Sequence, residues 1–224
     1  MSDVAQGYVG PAGLADDSRP TLDGAARRSL DIVIAAALVV LLAPLLVLVA
    51  LLVWAQDGGP ALFAHERVGL RGKRFKCLKF RTMLTDSEAR LAALLAADPV
   101  ARREWERDHK LRCDPRITRL GRFLRRSSID ELPQLLNVLR GEMSLVGPRP
   151  IVDAEVARYG RWICHYTSVK PGITGLWQVS GRNNTTYRRR IALDTVFGRR
   201  ASLGLYVKIL ILTVPAVLLS RGSF

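Results

Sequence analysis

Two adjacent carboxylates lie in Ser128-Ile129-Asp130-Glu131-Leu132-Pro133-Gln134, between Arg116-Ile117-Thr118-Arg119 upstream and Ser144-Leu145-Val146-Gly147-Pro148-Arg149-Pro150 downstream. Paired acids in a basic, loop-punctuated frame suit chemistry on an anion. An ionised carboxylate can serve as nucleophile, a neighbouring one can bind a divalent cation, and arginines can hold the remaining negative charge. These are the needs of phosphoryl chemistry, and Asp130, Glu131 and the surrounding arginines supply each part. The plain alternative is a capping box, with Ser128 and Glu131 starting a helix that carries Leu132, Leu135, Leu136 and Leu139. Pro133 belongs in a first helical turn, which makes Asp130 the better N-cap. Either register puts both acids at a helix N-terminus, where the helix dipole and free N–H groups keep a carboxylate ionised and attract phosphate.

Among the cations, Arg149 stands between Pro148 and Pro150, so its backbone has little freedom, and Arg116 and Arg119 follow the turn-like Asp114-Pro115. Rigidly placed arginines suit bidentate phosphate recognition. Between Arg102 and Arg126 there are ten Lys and Arg against four acids, and most of these read as a solvated or lipid-facing surface. The segment from Lys170 to Arg182 is punctuated by Gly172, Gly175 and Gly181, and its Trp177 reads as core before it reads as a stacking platform. His65, His109 and His165 lack metal-ligand spacing, and Cys77, Cys113 and Cys164 form neither a disulfide framework nor a zinc motif.

These groups need elements to position them. The chain has 224 residues and a formal charge of +14, which fits one catalytic domain with a membrane element and an acidic partner. Residues 1–27 read as a flexible tail. From Ile32 to Gln56 there are 25 uncharged residues, enough for a helix that crosses a bilayer. Pro44 interrupts it near the middle, and both flanks are basic, with Arg27 and Arg28 before it and Arg67, Arg71, Lys73, Arg74 and Lys76 after it. A helix broken at Pro44 that returns to its own face keeps both flanks in the cytoplasm, so a re-entrant membrane helix over 28–57 is favoured over a straight span.

Beyond it, 58–224 forms the catalytic domain. Alternation in 61–64 and 74–80 around Gly69 to Gly72 predicts a β-hairpin, and 85–97 and 100–111 predict helices separated by Asp98-Pro99. The apolar stretch Leu203 to Leu219 is interrupted by Lys208 and Pro215 and is too short to span; a core helix and an interfacial helix both remain open. The expected fold is mainly α with a small β-hairpin, a monotopic membrane protein with interfacial helices.

Together, Lys79-Phe80-Arg81-Thr82-Met83, Asp114-Pro115-Arg116-Ile117-Thr118, Asp130-Glu131-Leu132-Pro133-Gln134, Gly147-Pro148-Arg149-Pro150 and Pro171-Gly172-Ile173-Thr174-Gly175-Leu176-Trp177-Gln178 resemble the bacterial sugar transferases, from about Arg28 to the C-terminus. These are polyprenyl-phosphate hexose-1-phosphate transferases with a single re-entrant helix. The resemblance implies that Asp130 attacks the sugar-bearing phosphate of a UDP-sugar, releases UMP and holds a covalent phosphosugar that undecaprenyl phosphate then accepts. It implies Mg2+ on Glu131, a polyprenyl-phosphate site shaped by Pro148, Arg149 and Pro150, and phosphate or nucleotide contacts from Lys79, Arg81, Arg116 and Arg182. Two departures stand out: Ala43 precedes Pro44 where relatives often carry Ser, and residues 202–208 lack the Trp and Asp that many relatives carry.

The short form and the ending Arg221-Gly222-Ser223-Phe224 look like members that start exopolysaccharide synthesis with galactose; glucose and modified sugars stay open. The resemblance implies the bacterial inner membrane, with its lipids as partners and the catalytic domain facing the cytoplasm. Nucleic acid is not an expected partner, since the basic residues lack interleaved aromatics, and self-association is left open. Two rivals remain: direct attack by the lipid phosphate with Asp130 as general base, and a non-catalytic basic scaffold at a membrane surface.

Overall fold

The computed structural model describes residues 22–108, 111, 114–181 and 185–218. Helix α1 (Leu22–Asp57) is long and apolar enough to cross a membrane by length and composition, and it begins six residues before the boundary at 28 drawn from the sequence. Helical structure continues through Pro44, so the proline does not end the element. A proline inside a helix removes one hydrogen bond and crowds the preceding turn, which a continuous helix can absorb by bending.

Strands β1 (Leu62–Val68) and β2 (Arg74–Phe80) form the expected antiparallel hairpin, with Leu62 opposite Phe80 and Val68 opposite Arg74. The Leu70–Gly72 turn between them places Arg71 at φ 55° and Gly72 at φ 74°. Helices α2 (Ser87–Ala97) and α3 (Pro99–Asp108) pack on each other across the Asp98-Pro99 break.

The heart of the domain is built by α4 (Arg119–Ser127), a one-turn 3-10 segment (Ile129–Glu131) and α5 (Gln134–Arg140), followed by β3 (Ser144–Val146). Then come α6 (Asp153–Tyr159), α7 (Ile163–Thr167), β4 (Gly172–Thr174), α8 (Leu176–Val179), α9 (Tyr187–Arg200) and α10 (Leu203–Leu218). Strands β3 and β4 pair in parallel, Ser144 with Gly172 and Val146 with Thr174. This second sheet was not anticipated, because three-residue strands flanked by glycine and proline carry no alternation to read.

The main core joins Ala35 of α1, Leu135 and Val138 of α5, Leu145 and Val146 of β3, and Tyr206 and Ile209 of α10. A second cluster joins Val49 and Val53 near the other end of α1 to Phe80 and Leu124. Helix α10 contributes Tyr206 and Ile209 to the core, while Ile211, Leu212 and Val214 expose apolar side chains.

Both ends of α1 are tied to this one body. Arg28 donates from Nη1 to the Val138 carbonyl at 2.6 Å and from Nη2 to that of Leu139 at 3.0 Å. At the far end Asp57 receives both guanidinium nitrogens of Arg81, which also reaches the Val53 and Pro60 carbonyls. Between these ties, Val40, Leu41, Val47 and Leu48 expose apolar side chains.

Candidate active site

Asp130 and Glu131 are delivered by a short, strained lead-in. Thr118 caps α4 by accepting from the Gly121 N–H at 2.8 Å, and α4 stops at Ser128, which takes the left-handed conformation at φ 57°. That conformation costs a non-glycine residue of order 1 kcal/mol. The chain then turns through Ile129–Glu131 and enters α5 by way of Leu132 and Pro133, both helical in backbone. Neither capping register is realised, since no side chain caps the 3-10 turn or α5; Ser128 ends α4 and begins the 3-10 turn through its backbone alone.

Lys79 meets this turn from β2, donating to Glu131 Oε1 at 2.6 Å. Asn137 sets the relation of strand to helix: fully buried on α5, it accepts from the Leu78 N–H at 2.9 Å and donates to the Lys76 carbonyl at 2.8 Å. Its amide thus completes the edge of β2 as a neighbouring strand would. Its trace in the sequence is slight, one amide among the apolar Leu135, Leu136, Val138 and Leu139.

Arg149 approaches from the loop after β3, exposed between the buried Pro148 and Pro150. The loop is pinned on both sides by backbone. The Gly147 N–H donates to the Thr174 carbonyl at 2.8 Å, and the Pro148 carbonyl accepts from Gly172 at 2.8 Å. Beyond it, the Val68 N–H donates to the Ile151 carbonyl at 3.0 Å. A Cβ on Gly172 would lie 2.0 Å from the Gly147 nitrogen, so only glycine permits this approach. The two glycine–proline motifs are therefore two sides of one contact.

A narrow cleft lies beside the acid pair, lined by Arg67, Lys79, Glu131, Gln134, Arg149 and Gln178, among others; Asp130 adjoins it through Glu131 and is not itself a lining residue. Arg67 was read only as part of a basic flank, yet it donates to the Pro150 carbonyl at 3.3 Å and lies 4.0 Å from Glu155. Gln134 and Gln178, which sequence reasoning gives no role, line the same cleft. Cys77 also lines the cleft, and burial raises its thiol pKa, which disfavours a nucleophilic thiolate.

The two acids differ in charge state. Burial would raise Glu131, but Lys79, Arg149 and Arg67 outweigh it and hold the carboxyl below its usual range. Asp130 is pushed up to about 6, first by burial and then by the negative charge of Glu131, against the pull of Lys79, Arg125 and Arg149. Among the described residues the Asp130 carboxylate accepts no hydrogen bond. It is a buried acid with its lone pairs uncommitted.

Two expected anion ligands are engaged elsewhere. Arg81 closes α1 onto the hairpin through Asp57, whose carboxyl is held well below the usual range chiefly by that contact. Arg116 forms a two-point pair with Asp114, at 2.8 and 2.7 Å, and lies over the Trp105 ring. Neither lines the cleft. Arg182, His109 and Cys113 lie outside the described residues. Trp177 is buried as expected, 8% exposed, with Arg190 packed over its ring.

No cluster of three or more His, Cys, Asp or Glu side chains suited to a metal occurs among the described residues. A Mg2+ ion commonly takes only one or two carboxylates, completing its shell with water and substrate phosphate. Glu131, ionised and with Oε2 free of the Lys79 bond, fits such shared ligation beside Asp130.

A family model described as bacterial sugar transferase matches residues 22–220. The UDP-galactose-lipid carrier transferase of Erwinia amylovora is 50% identical over 88% of this chain and 41% of its own length. The undecaprenyl-phosphate galactose phosphotransferase of Salmonella typhimurium is 48% identical over the same shares, 88% and 41%. This chain thus spans less than half the length of those two relatives. The exopolysaccharide production protein ExoY of Sinorhizobium fredii is 46% identical over 91% of this chain and 90% of its own. With the family model covering every described residue, the protein belongs to the bacterial sugar transferase family.

Proposed function

We propose that the protein is a phosphoglycosyltransferase that moves hexose-1-phosphate from a UDP-hexose to undecaprenyl phosphate, with galactose or glucose as the sugar. The observation that carries this reading is the contrast within the acid pair: Glu131 is ionised and paired with Lys79, while Asp130 beside it is buried and uncommitted. A carboxylate stripped of hydrogen bonds retains its nucleophilicity once ionised.

In the first step an Asp130 oxygen bonds to the sugar-bearing phosphorus, and the bond from that phosphorus to the bridging oxygen breaks. UMP leaves with the electron pair. In the second step an oxygen of the lipid phosphate attacks the same phosphorus, freeing the carboxylate and forming the sugar diphospholipid. Bound Mg2+ would neutralise diphosphate charge. Glu131 would hold it, Lys79 would keep Glu131 ionised and oriented, and Arg149, fixed by its pinned loop, would receive the lipid phosphate. Arg67 supplies further positive charge on the same wall.

The re-entrant reading of α1 belongs to this proposal. It is supported by the ties at both ends of α1 to one body, through Arg28 and Arg81, with the exposed apolar middle between them. Such a path keeps the cleft on the cytoplasmic side of the inner membrane, where the nucleotide sugar is available, and starts exopolysaccharide synthesis there.

The test is UMP release by the purified protein with Mg2+, undecaprenyl phosphate and a panel of UDP-sugars, with Asp130→Asn as control. Release from one donor, lost in the control, is expected. Silence across the panel from a folded, lipid-supplied protein would favour a basic membrane scaffold instead.

A further inference from the structure

A cavity of about 190 Å³ lies at the base of α1, lined by Arg27, Arg28, Asp31, Ser168, Lys170 and Phe197 among others. It shares no lining residue with the catalytic cleft. Its volume is more than ten times the ~15 Å³ that one water requires.

The charges in it are unbalanced. The tips of Arg28 and Lys170 converge on Gly141, at 3.5 and 3.7 Å from the point where a Cβ would stand there. Arg28 is held there by the Val138 and Leu139 carbonyls, while the Lys170 ammonium beside it has no protein hydrogen bond among the described residues, and Arg27 lies on the same wall. Among the described residues the Lys170 ammonium has no carboxylate within ion-pair distance. Burial, then repulsion from Arg28, lowers its pKa, with Asp31 opposing. The acid is committed to the fold, since Asp31 Oδ1 alone accepts from Ser144 Oγ, the Leu145 N–H and the Tyr206 hydroxyl.

An anion would relieve this imbalance. Arg27 and Arg28 immediately precede the apolar run that starts near Ile32, so an embedded α1 sets the cavity at headgroup depth. From the paired cationic tips, the enclosed volume and the committed acid, we propose that this cavity is a phosphate-binding site, taking a phosphate group from a membrane phospholipid or from solution. It does not rest on the sugar-transfer reaction.

The test is native mass spectrometry of the full chain in zwitterionic detergent with added phosphatidylglycerol, paired with thermal melting in inorganic phosphate. One retained phosphatidylglycerol is expected, weakened about tenfold by Lys170→Ala. Lys170→Arg should keep it, as should Lys79→Ala, which alters only the cleft. If lipid is not retained but phosphate raises the melting temperature in a Lys170-dependent way, the source is free phosphate and the site stands. Binding that is absent in both arms, or unchanged by Lys170→Ala, or lost equally in Lys79→Ala, overturns the proposal.

Discussion

Two buried aspartates divide the molecule. Asp31, at the base of α1, is 3% exposed, and three donors converge on one of its oxygens. Asp130, between α4 and α5, is 8% exposed and accepts none among the described residues. Burying a carboxylate without compensation is costly, so folded chains satisfy such groups unless something else requires them open. Asp31 ties a helix to a sheet and to α10. Asp130 carries the cost of burial with only the pull of Lys79, Arg125 and Arg149 to offset it, an arrangement that fits the nucleophile role proposed for it.

The sharpest way to break this contrast is to neutralise each acid in turn. Asp130→Asn is expected to lower turnover by about four orders of magnitude while leaving the fold intact. Asp31→Ala should do the reverse, leaving the cleft chemistry intact in whatever protein folds but destabilising it by about 3 kcal/mol, because three buried donors lose their acceptor. Thermal melting in micelles would read this, and a variant as stable as the parent would end the structural role assigned to Asp31.

Stability against pH sharpens the same point. Folding raises Asp130 to about 6, so between its unfolded pKa of about 3.9 and that value the native state binds the extra proton and stability falls as pH rises. Above pH 6 the penalty is fully present. In metal-free buffer Asp130→Asn should therefore be more stable than the parent by roughly 3 kcal/mol at pH 8, with the gain fading as pH falls through 6 towards 4. No gain at pH 8 would mean that Asp130 is as well satisfied as Asp31.

A smaller effect is expected at the cation on the pinned loop. Arg149→Lys keeps the charge but loses the planar fork, and should raise the KM for the lipid phosphate about tenfold with little change in stability. Equal loss with either substrate would place Arg149 on the nucleotide side of the reaction.

How much of this was legible in the sequence follows from where the signal resided. Long periodic or apolar segments, α1, the hairpin and α2, were readable because their patterns repeat over many residues. The β3–β4 pair was not, since its specificity lies in glycine-to-backbone contact between Gly147 and Gly172, which involves no side chain at all. The acid pair and Arg149 stood out by type and by flanking prolines. Arg67 and Asn137 did not, because their roles depend on contacts 83 and 59 residues away. Arg81 and Arg116 show the converse: two motif arginines are paired with Asp57 and Asp114, contacts that their motifs alone do not separate from anion binding.

The proposed reaction requires Asp130 to become covalently bound to the transferred phosphosugar. Intact mass measurement of the protein with Mg2+ and UDP-galactose or UDP-glucose, without lipid acceptor, tests it most directly. An added mass equal to one hexose phosphate less one water is expected, mapped to the peptide bearing Asp130, absent in Asp130→Asn and discharged by undecaprenyl phosphate. Turnover with the acceptor present but no adduct at any point in the time course would contradict it, and would make Asp130 a base for direct attack by the lipid.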